Sequence, residues 1–389
     1  MGVWNEVEIL LASDRAELDE FGTTVSIYGK TIVIGAPFED QNAMDMDTKV
    51  GAGSAYIFNK DTSGNWVETQ KIVALDRAEF DFFGIDVSIW DSTIIVGAYQ
   101  DDLATSQTNA GSAYIFQQDT NGNFIETQKV TASDINTNDF FGYAVDIFDD
   151  KVIIGAYQED QDVMNNDTLS EAGSAYIFER SNSGLFNQKQ KIVASDREAG
   201  DFFGWDVAIS GNIILVGARL EDHDEAGGVF RNSSGSGYVY ERDSTGTWIE
   251  LQKIVASDRG FFHFFGTAVD ISVDCALVGA PFNDLNPQND DNAGKSYIFH
   301  GECLENLIVA LDSVPSRLFS ADSTIVTLDS VHIFPAVDST VFQAGTSITL
   351  TTGFRAVCGS NFKAFIENCA SLPFVAPVSS ETVLSLIHI

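Results

Sequence analysis

An all-β propeller of four-stranded blades is the fold this sequence predicts, and three observations predict it. A unit of about 60 residues recurs five times within the first 300 of the 389 residues. Its apolar and polar positions alternate at the period of a strand, and no segment shows the period of a helix. Each copy holds four short apolar runs with turn residues between them, which is the content of one blade, a small sheet covered on both faces by its neighbours.

The elements follow in a fixed order. Trp4, Trp66, Phe124, Phe186 and Trp248 lead the first strand of each copy at steps of 62, 58, 62 and 62 residues, and the run Trp66 to Ala74 alternates as a strand with one wet face does. An acidic turn comes next, with Asp14, Asp76, Asp134, Asp196 or Asp258 placed seven residues before a Phe-Gly pair. The pairs begin at Phe21, Phe83, Phe141, Phe203 and Phe265, and 14 residues later each hairpin closes on Gly35-Ala36, Gly97-Ala98, Gly155-Ala156, Gly217-Ala218 or Gly279-Ala280. Two apolar runs around a tight polar turn, such as Val25 to Ile27 and Ile32 to Ile34 around Gly29-Lys30, mark the hairpin. The β-branched runs Thr31 to Ile34 and Ile213 to Val216 suit strands buried on both faces. A Phe can wedge between blades while the following Gly admits close backbone approach. After a loop of variable length the last strand is Gly53 to Phe58, Gly111 to Phe116, Gly173 to Phe178, Gly235 to Tyr240 or Gly294 to Phe299.

The strand count predicts a closure. The aromatic-led strand near Trp4 to Leu11 precedes any hairpin, and the last unit, after Phe299, lacks one. Pairing the N-terminal strand onto the last blade completes five blades and leaves no open sheet edge. An arc of a larger ring is the competing arrangement.

Phe-Gly followed by Gly-Ala-Pro, as in Gly35-Ala36-Pro37 and Gly279-Ala280-Pro281, resembles the FG-GAP repeat, the blade unit of integrin-alpha-like propellers and of many secreted bacterial proteins. The resemblance covers residues 1–300 and implies a propeller used for adhesion, ligand binding or attachment to enzymes. Integrin-type blades often carry an Asp-x-Asp-x-Asp-Gly calcium loop inside the hairpin. Here that place holds only tight turns such as Tyr28-Gly29-Lys30 and Ser210-Gly211-Asn212, so the family's calcium sites do not carry over. Residues 301–375 change pattern and form a second domain, a small β-rich module. Its run Gly353-Phe354-Arg355-Ala356 to Gly359-Ser360-Asn361-Phe362 resembles the end modules of secreted Bacteroidetes-type proteins. Residues 376–389 form a tail with no recognisable element.

Composition narrows the partners. Acidic residues outnumber basic ones 57 to 21, and the net charge of −36 opposes binding to nucleic acid or an anionic membrane. No apolar run approaches the roughly 20 residues that span a bilayer, and Met1-Gly2-Val3-Trp4 does not begin a secretion signal. Four cysteines are too few for a disulfide framework, although Cys303 and Cys369 bracket the C-terminal region.

Five residues beyond the Gly of each Gly-Ala stand Asp40, Asp102, Asp160, Asp222 and Asp284, preceded by Glu39, Asp101, Glu159, Glu221 and Asn283. Carboxylates and amides gathered in loops are the hard oxygen ligands calcium takes, so these five are the candidate metal ligands and Ca²⁺ the candidate cofactor. The alternative is one structural task repeated in each blade, such as accepting backbone N–H groups at a turn. Asp19, Asp81, Asp139 and Asp201, replaced by His263 in the last copy, read as turn chemistry. Function is sought where the copies differ. Loops 37–52, 99–110, 157–172, 219–234 and 281–293 emerge on one face, and the fourth carries the densest cluster, with His223 and Asp224 as candidate ligand-binding residues. Tyr143 and Trp205, variable positions after Phe-Gly, are candidates for stacking on a sugar, with packing between blades as the alternative. No nucleophile elbow, zinc helix, metal-spaced cysteine pair or phosphate loop is present, so the chain is not expected to be an enzyme. The expected function is a non-enzymatic extracellular or cell-surface module that recognises a protein or polysaccharide through its acidic loop face, with calcium assistance. A rigid spacer in a larger secreted protein is the alternative, and a polysaccharide-active enzyme stands third.

Overall fold

The computed structural model describes residues 5–300, save 45–46, 105–106, 166–167, 273–274 and 284–291, and the backbone of the strands between 306 and 366. The chain divides into two compact units, residues 1–272 with 276–298, and residues 273–275 with 299–389.

The first unit is an all-β propeller with five blades. Blade 1 holds β1 (Val25–Tyr28), β2 (Thr31–Ala36), β3 (Ser54–Lys60) and β4 (Trp66–Ile72), hydrogen-bonded in sequence order. Blade 2 holds β5 (Val87–Trp90), β6 (Thr93–Ala98), β7 (Ser112–Gln118) and β8 (Phe124–Val130). Blade 3 holds β9 (Val145–Phe148), β10 (Lys151–Ala156), β11 (Ser174–Arg180) and β12 (Phe186–Ile192). Blade 4 holds β13 (Phe203–Ser210), β14 (Ile213–Ala218), β15 (Ser236–Arg242) and β16 (Trp248–Ile254). Blade 5 holds β17 (Ala268–Ser272), β18 (Cys275–Ala280) and β19 (Lys295–His300). The pairings within blades 1 to 4 are antiparallel, and the third and fourth strands of these blades slip register at one place, as between Ile57 and Phe58.

The core is a series of layers between blades. One layer joins Val33, Ile57 and Ile72 of blade 1 to Phe83, Val87, Ile94 and Phe116 of blade 2, and the same positions recur between blades 2 and 3 and between blades 3 and 4. Phe83, Phe141, Phe203 and Phe265, the Phe of four Phe-Gly pairs, are fully buried. Phe83 meets Tyr114 edge to face with ring centroids 5.5 Å apart. Backbone closes the seam as well: Phe83 N–H donates to the Ala52 carbonyl at 3.1 Å, and Gly53 pairs with Phe83 in parallel register. Gly53, at φ 82°, is required there, because a Cβ would lie 2.0 Å from the Phe83 carbonyl oxygen.

The N-terminal closure is not found. Residues 5–12 form no strand, and blade 5 has three strands among the described residues; Trp4 lies outside them. The segment stays on blade 1 instead. Glu8 accepts Trp66 N–H at 3.0 Å, and Ser13 donates twice to Glu68 at 2.8 Å. Glu8 with Trp66 stands where Gln70 with Phe124 stands at the next seam, and Ser13 with Glu68 where Leu75 with Glu126 does, so side chains tie the segment to blade 1 although it forms no strand. Val25 and Ile27 of β1 are 66% and 63% exposed, whereas their counterparts Val87 and Ile89, at 4%, are covered by the preceding blade.

The second unit consists of short parallel sheets. β20 (Asn306–Val309), β22 (Thr324–Thr327) and β25 (Ser347–Leu350) form one, and β21 (Leu318–Ala321), β24 (Thr340–Ala344) and β27 (Phe362–Ile366) another. β23 (His332–Ile333) pairs with β26 (Arg355–Ala356), also in parallel. Successive strands thus fall to different sheets, the arrangement of coils wound in a solenoid.

Candidate binding face

In each blade the second strand ends, the third begins, and the connection to the next blade starts at the same end of the sheet. Loops and connections therefore share one face. The connection entering blade 2 is laced onto the loop of blade 1: Phe80, Phe82 and Phe83 N–H groups donate to the carbonyls of Val50, Gly51 and Ala52 at 2.8, 3.0 and 3.1 Å. Blades 3, 4 and 5 repeat the lacing with Asn138, Phe140 and Phe141, with Gly200, Phe202 and Phe203, and with Phe262, Phe264 and Phe265.

The same segment carries backbone strain in every copy, including the first, which has no such lacing among the described residues. The residue before each Phe-Gly is left-handed in all five copies, Glu20, Phe82, Phe140, Phe202 and Phe264 having φ between 53° and 59°. Two residues earlier, Leu18, Phe80, Asn138, Gly200 and Phe262 are left-handed too. Gly or Asn takes this conformation readily, whereas a bulky side chain costs about 1–2 kcal/mol. Strain of that kind persists where surrounding structure imposes it, and it clusters at functional sites.

The strained rings join a belt across the face. Phe38 meets Phe82 at 5.0 Å, Phe82 stacks on Tyr99 at 5.5 Å, and Tyr99 meets Phe140 and Tyr143 at 5.4 Å each. Tyr143 and Tyr157 each lie 4.8 Å from Trp205, and Phe202 stacks on Trp205 at an interplanar angle of 6°. The guanidinium of Arg219 sits 4.1 Å from the Trp205 ring and 4.9 Å from that of Phe264, which in turn meets Phe282 at 5.3 Å. Exposure is high at the margins: Phe38 is 40%, Phe80 51%, Phe262 54% and Phe282 44% exposed. Burial pushes the Tyr143 hydroxyl up to about 12, so it stays a donor. Tyr143 and Trp205, singled out in sequence, are thus brought together, half-buried, at the middle of the belt.

The aspartate series is not brought together. Asp40, Asp160 and Asp222 each accept, through Oδ1, the N–H of a residue 11 positions on, and Asp102 that of Asn109, so each carboxylate closes the neck of its own loop. The carbonyls of Asp40, Asp160 and Asp222 accept an arginine and a backbone N–H. Asp284 lies outside the described residues. Among the described residues no group of three carboxylate, His or Cys side chains is placed to hold a metal. Calcium takes six to eight oxygens, so an ion here would draw most of them from elsewhere. Asp224 Oδ1 accepts the N–H groups of Ala226 and Gly228 at 3.1 and 2.8 Å, which hold its carboxyl below the usual range. His223 packs on Phe230, 3.6 Å from Glu221, at a cleft of about 860 Å³ between blades 3 and 4, with Glu198, Trp248 and Glu250 also in its lining.

Beneath the face blades 1 to 4 each hold an ionic network, most deeply buried in blade 3. Lys191 Nζ reaches Asp134 and Glu159, both at 2.8 Å, and Glu159 also accepts the Ser174 hydroxyl at 2.7 Å. Lys71, Lys129 and Lys253 do the same in blades 1, 2 and 4. Asp81, Asp139 and Asp201 cap the turns before Phe-Gly by accepting a backbone N–H, and desolvation pushes them up to about 6, 7 and 7. In blade 5, His263 and Asn283 replace the two acids and meet at 2.7 Å.

Raised values in the folded state mean that these aspartates bind protons more tightly than in the unfolded chain. Their stabilising contribution is complete below about pH 4 and is lost as pH rises towards 7. Asp139→Asn keeps an acceptor and cannot ionise. Its unfolding free energy is expected to gain on that of the wild type through this window and then level off, by about 1 kcal/mol per pH unit at the steepest; parallel stability curves would refute the assignment.

A family model described as FG-GAP repeat matches residues 4–58, 66–116, 124–178, 186–240 and 248–299. Among curated proteins, none matches the chain significantly. No helix among the described residues is long and apolar enough to cross a membrane, which says nothing about spanning strands.

Proposed function

We propose that this chain, which belongs to the FG-GAP repeat family, is a non-enzymatic module that recognises an extracellular protein or polysaccharide through the loop face of its propeller. The observation that carries this reading is the aromatic belt, where strained backbone holds rings half in solvent instead of releasing them into the core. Exposed aromatic side chains with few rotatable bonds are efficient contact groups. FG-GAP repeats are typical of extracellular proteins, which supports a place outside the cell or on its surface.

The test is capture of matrix proteins and polysaccharides by the purified chain, in calcium and then in chelator. Asp222→Ala is included because calcium assistance belongs to this reading. Phe80→Asn is the informative variant, since Asn138 already stands at the equivalent place in blade 3. Relief of strain is expected to raise stability by up to about 1 kcal/mol while capture weakens several-fold. Capture by no ligand under either condition, from a folded chain, would favour the rigid spacer.

A further inference from the structure

The chain carries 21 basic residues against 57 acidic ones, so a half-buried cation with no polar partner is unexpected. Arg77 reaches Asp47, Arg180 the Thr93 hydroxyl, Arg242 Glu179, and Arg259 a serine hydroxyl and two carbonyls. Arg219 differs. Among the described residues its guanidinium meets only rings, 4.1 Å from the centroid of Trp205 and 4.9 Å from that of Phe264. Its Nε is buried with no hydrogen-bond partner, as are those of Arg77, Arg197, Arg242 and Arg259, so the difference lies in the rest of its guanidinium. The groups acting on its charge are the hydroxyls of Tyr143 and Tyr157, with no carboxylate among them, and burial pulls its value below the ordinary one.

A half-buried guanidinium held against two aromatic rings has less freedom to lose on binding. With no carboxylate on it among the described residues, its planar fork is left for two parallel hydrogen bonds, the geometry that a carboxylate matches. Other copies place Pro37, Tyr99, Tyr157 or Pro281 at this position after Gly-Ala, so the cation is particular to blade 4.

We infer that Arg219 and the rings around it form a receptor for a single carboxylate, presented by a protein segment with apolar side chains beside it. The inference rests on the reading of the loop face as a binding face and names its partner's chemistry. The protein's own charge selects against a polyanion such as a uronic-acid polymer, which the net −36 would repel along its length. One carboxylate meets that field at one point, where Arg219 lies closer than a screening length of about 8 Å. Phe202, Phe264 and Phe282 then offer the apolar contacts that flanking side chains would fill.

The experiment titrates the full chain by calorimetry with the capped tripeptide Phe-Asp-Phe, its Phe-Asn-Phe counterpart and the trisaccharide of galacturonic acid. The expected result is at least tenfold tighter binding of the Asp peptide than of the Asn peptide. Arg219→Gln should erase that preference and Arg219→Lys should keep part of it, each with a melting temperature near that of the wild type. Equal binding of the two peptides, binding of neither, a preference that survives in Arg219→Gln, or binding of the trisaccharide alone would each overturn the inference. Undiminished capture of a matrix protein by Arg219→Gln would likewise overturn it while leaving the binding face in place. Failure of the whole face appears separately, as the absence of any capture by the wild type.

Discussion

Gly142→Ala is expected to destabilise the propeller by on the order of 4 kcal/mol, lowering the melting temperature by roughly 10 °C. Gly142 has φ +88°, and a Cβ there would lie 2.2 Å from the Ser112 carbonyl oxygen and 2.9 Å from its carbon. Both are backbone atoms of the seam between blades 2 and 3, so no side chain can swing aside. Gly122 provides the control, since its φ is +91° but the nearest atom to an added Cβ is the Gln118 amide at 4.0 Å. Gly122→Ala should cost only about 1 kcal/mol, the conformational part alone. Equal losses from the two substitutions, measured by thermal melting, would mean that the seam does not depend on close backbone approach.

Lys191→Met is expected to cost about 3–5 kcal/mol, because it leaves Asp134 and Glu159 buried without their cation. The side chains of the three are 5%, 7% and 0% exposed, which leaves water little access to compensate. Desolvation raises the Glu159 carboxyl even with the lysine present, so removing the lysine should drive it to take up a proton. Lys191→Met with Glu159→Gln should therefore recover part of the loss. The exposed Lys189, changed to Met, should alter the unfolding free energy from urea titration by less than about 0.5 kcal/mol. A double variant as weak as the sum of its singles would show that the pair is not coupled.

Five in-register copies make the strands, the hairpins and the Phe-Gly wedge legible in sequence, since an apolar position repeated at a fixed step has to meet the same surroundings each time. The closure was less legible. It was inferred from a count of strands, whereas the resting place of residues 5–13 depends on side chains such as Glu8 and Glu68 that bind the segment to blade 1. Repetition of Asp40 and its counterparts left two roles open, and the geometry shows each carboxylate at the neck of its own loop. The doublet Phe82-Phe83, repeated at Phe140-Phe141, Phe202-Phe203 and Phe264-Phe265, is plain in the sequence. What the letters do not carry is that the two rings of a doublet part ways, one into the core and one onto the face, the outward one sitting on left-handed backbone in each doublet. Arg219 was invisible for a related reason: lack of an acidic partner is a property of neighbours in space.

The necks closed by Asp40, Asp102, Asp160 and Asp222 separate two kinds of change that a repeat protein must reconcile. Spans of 11, 7, 11 and 11 residues are bridged by the same bond, so the loop may shorten or change beyond the neck while the seam below keeps its hydrogen bonds. Substitutions in a loop tip are thereby insulated from the stability of the ring. A scaffold with that insulation can explore new partners at little risk to its fold, blade by blade, and the cation that appears only in blade 4 is an instance of such local divergence.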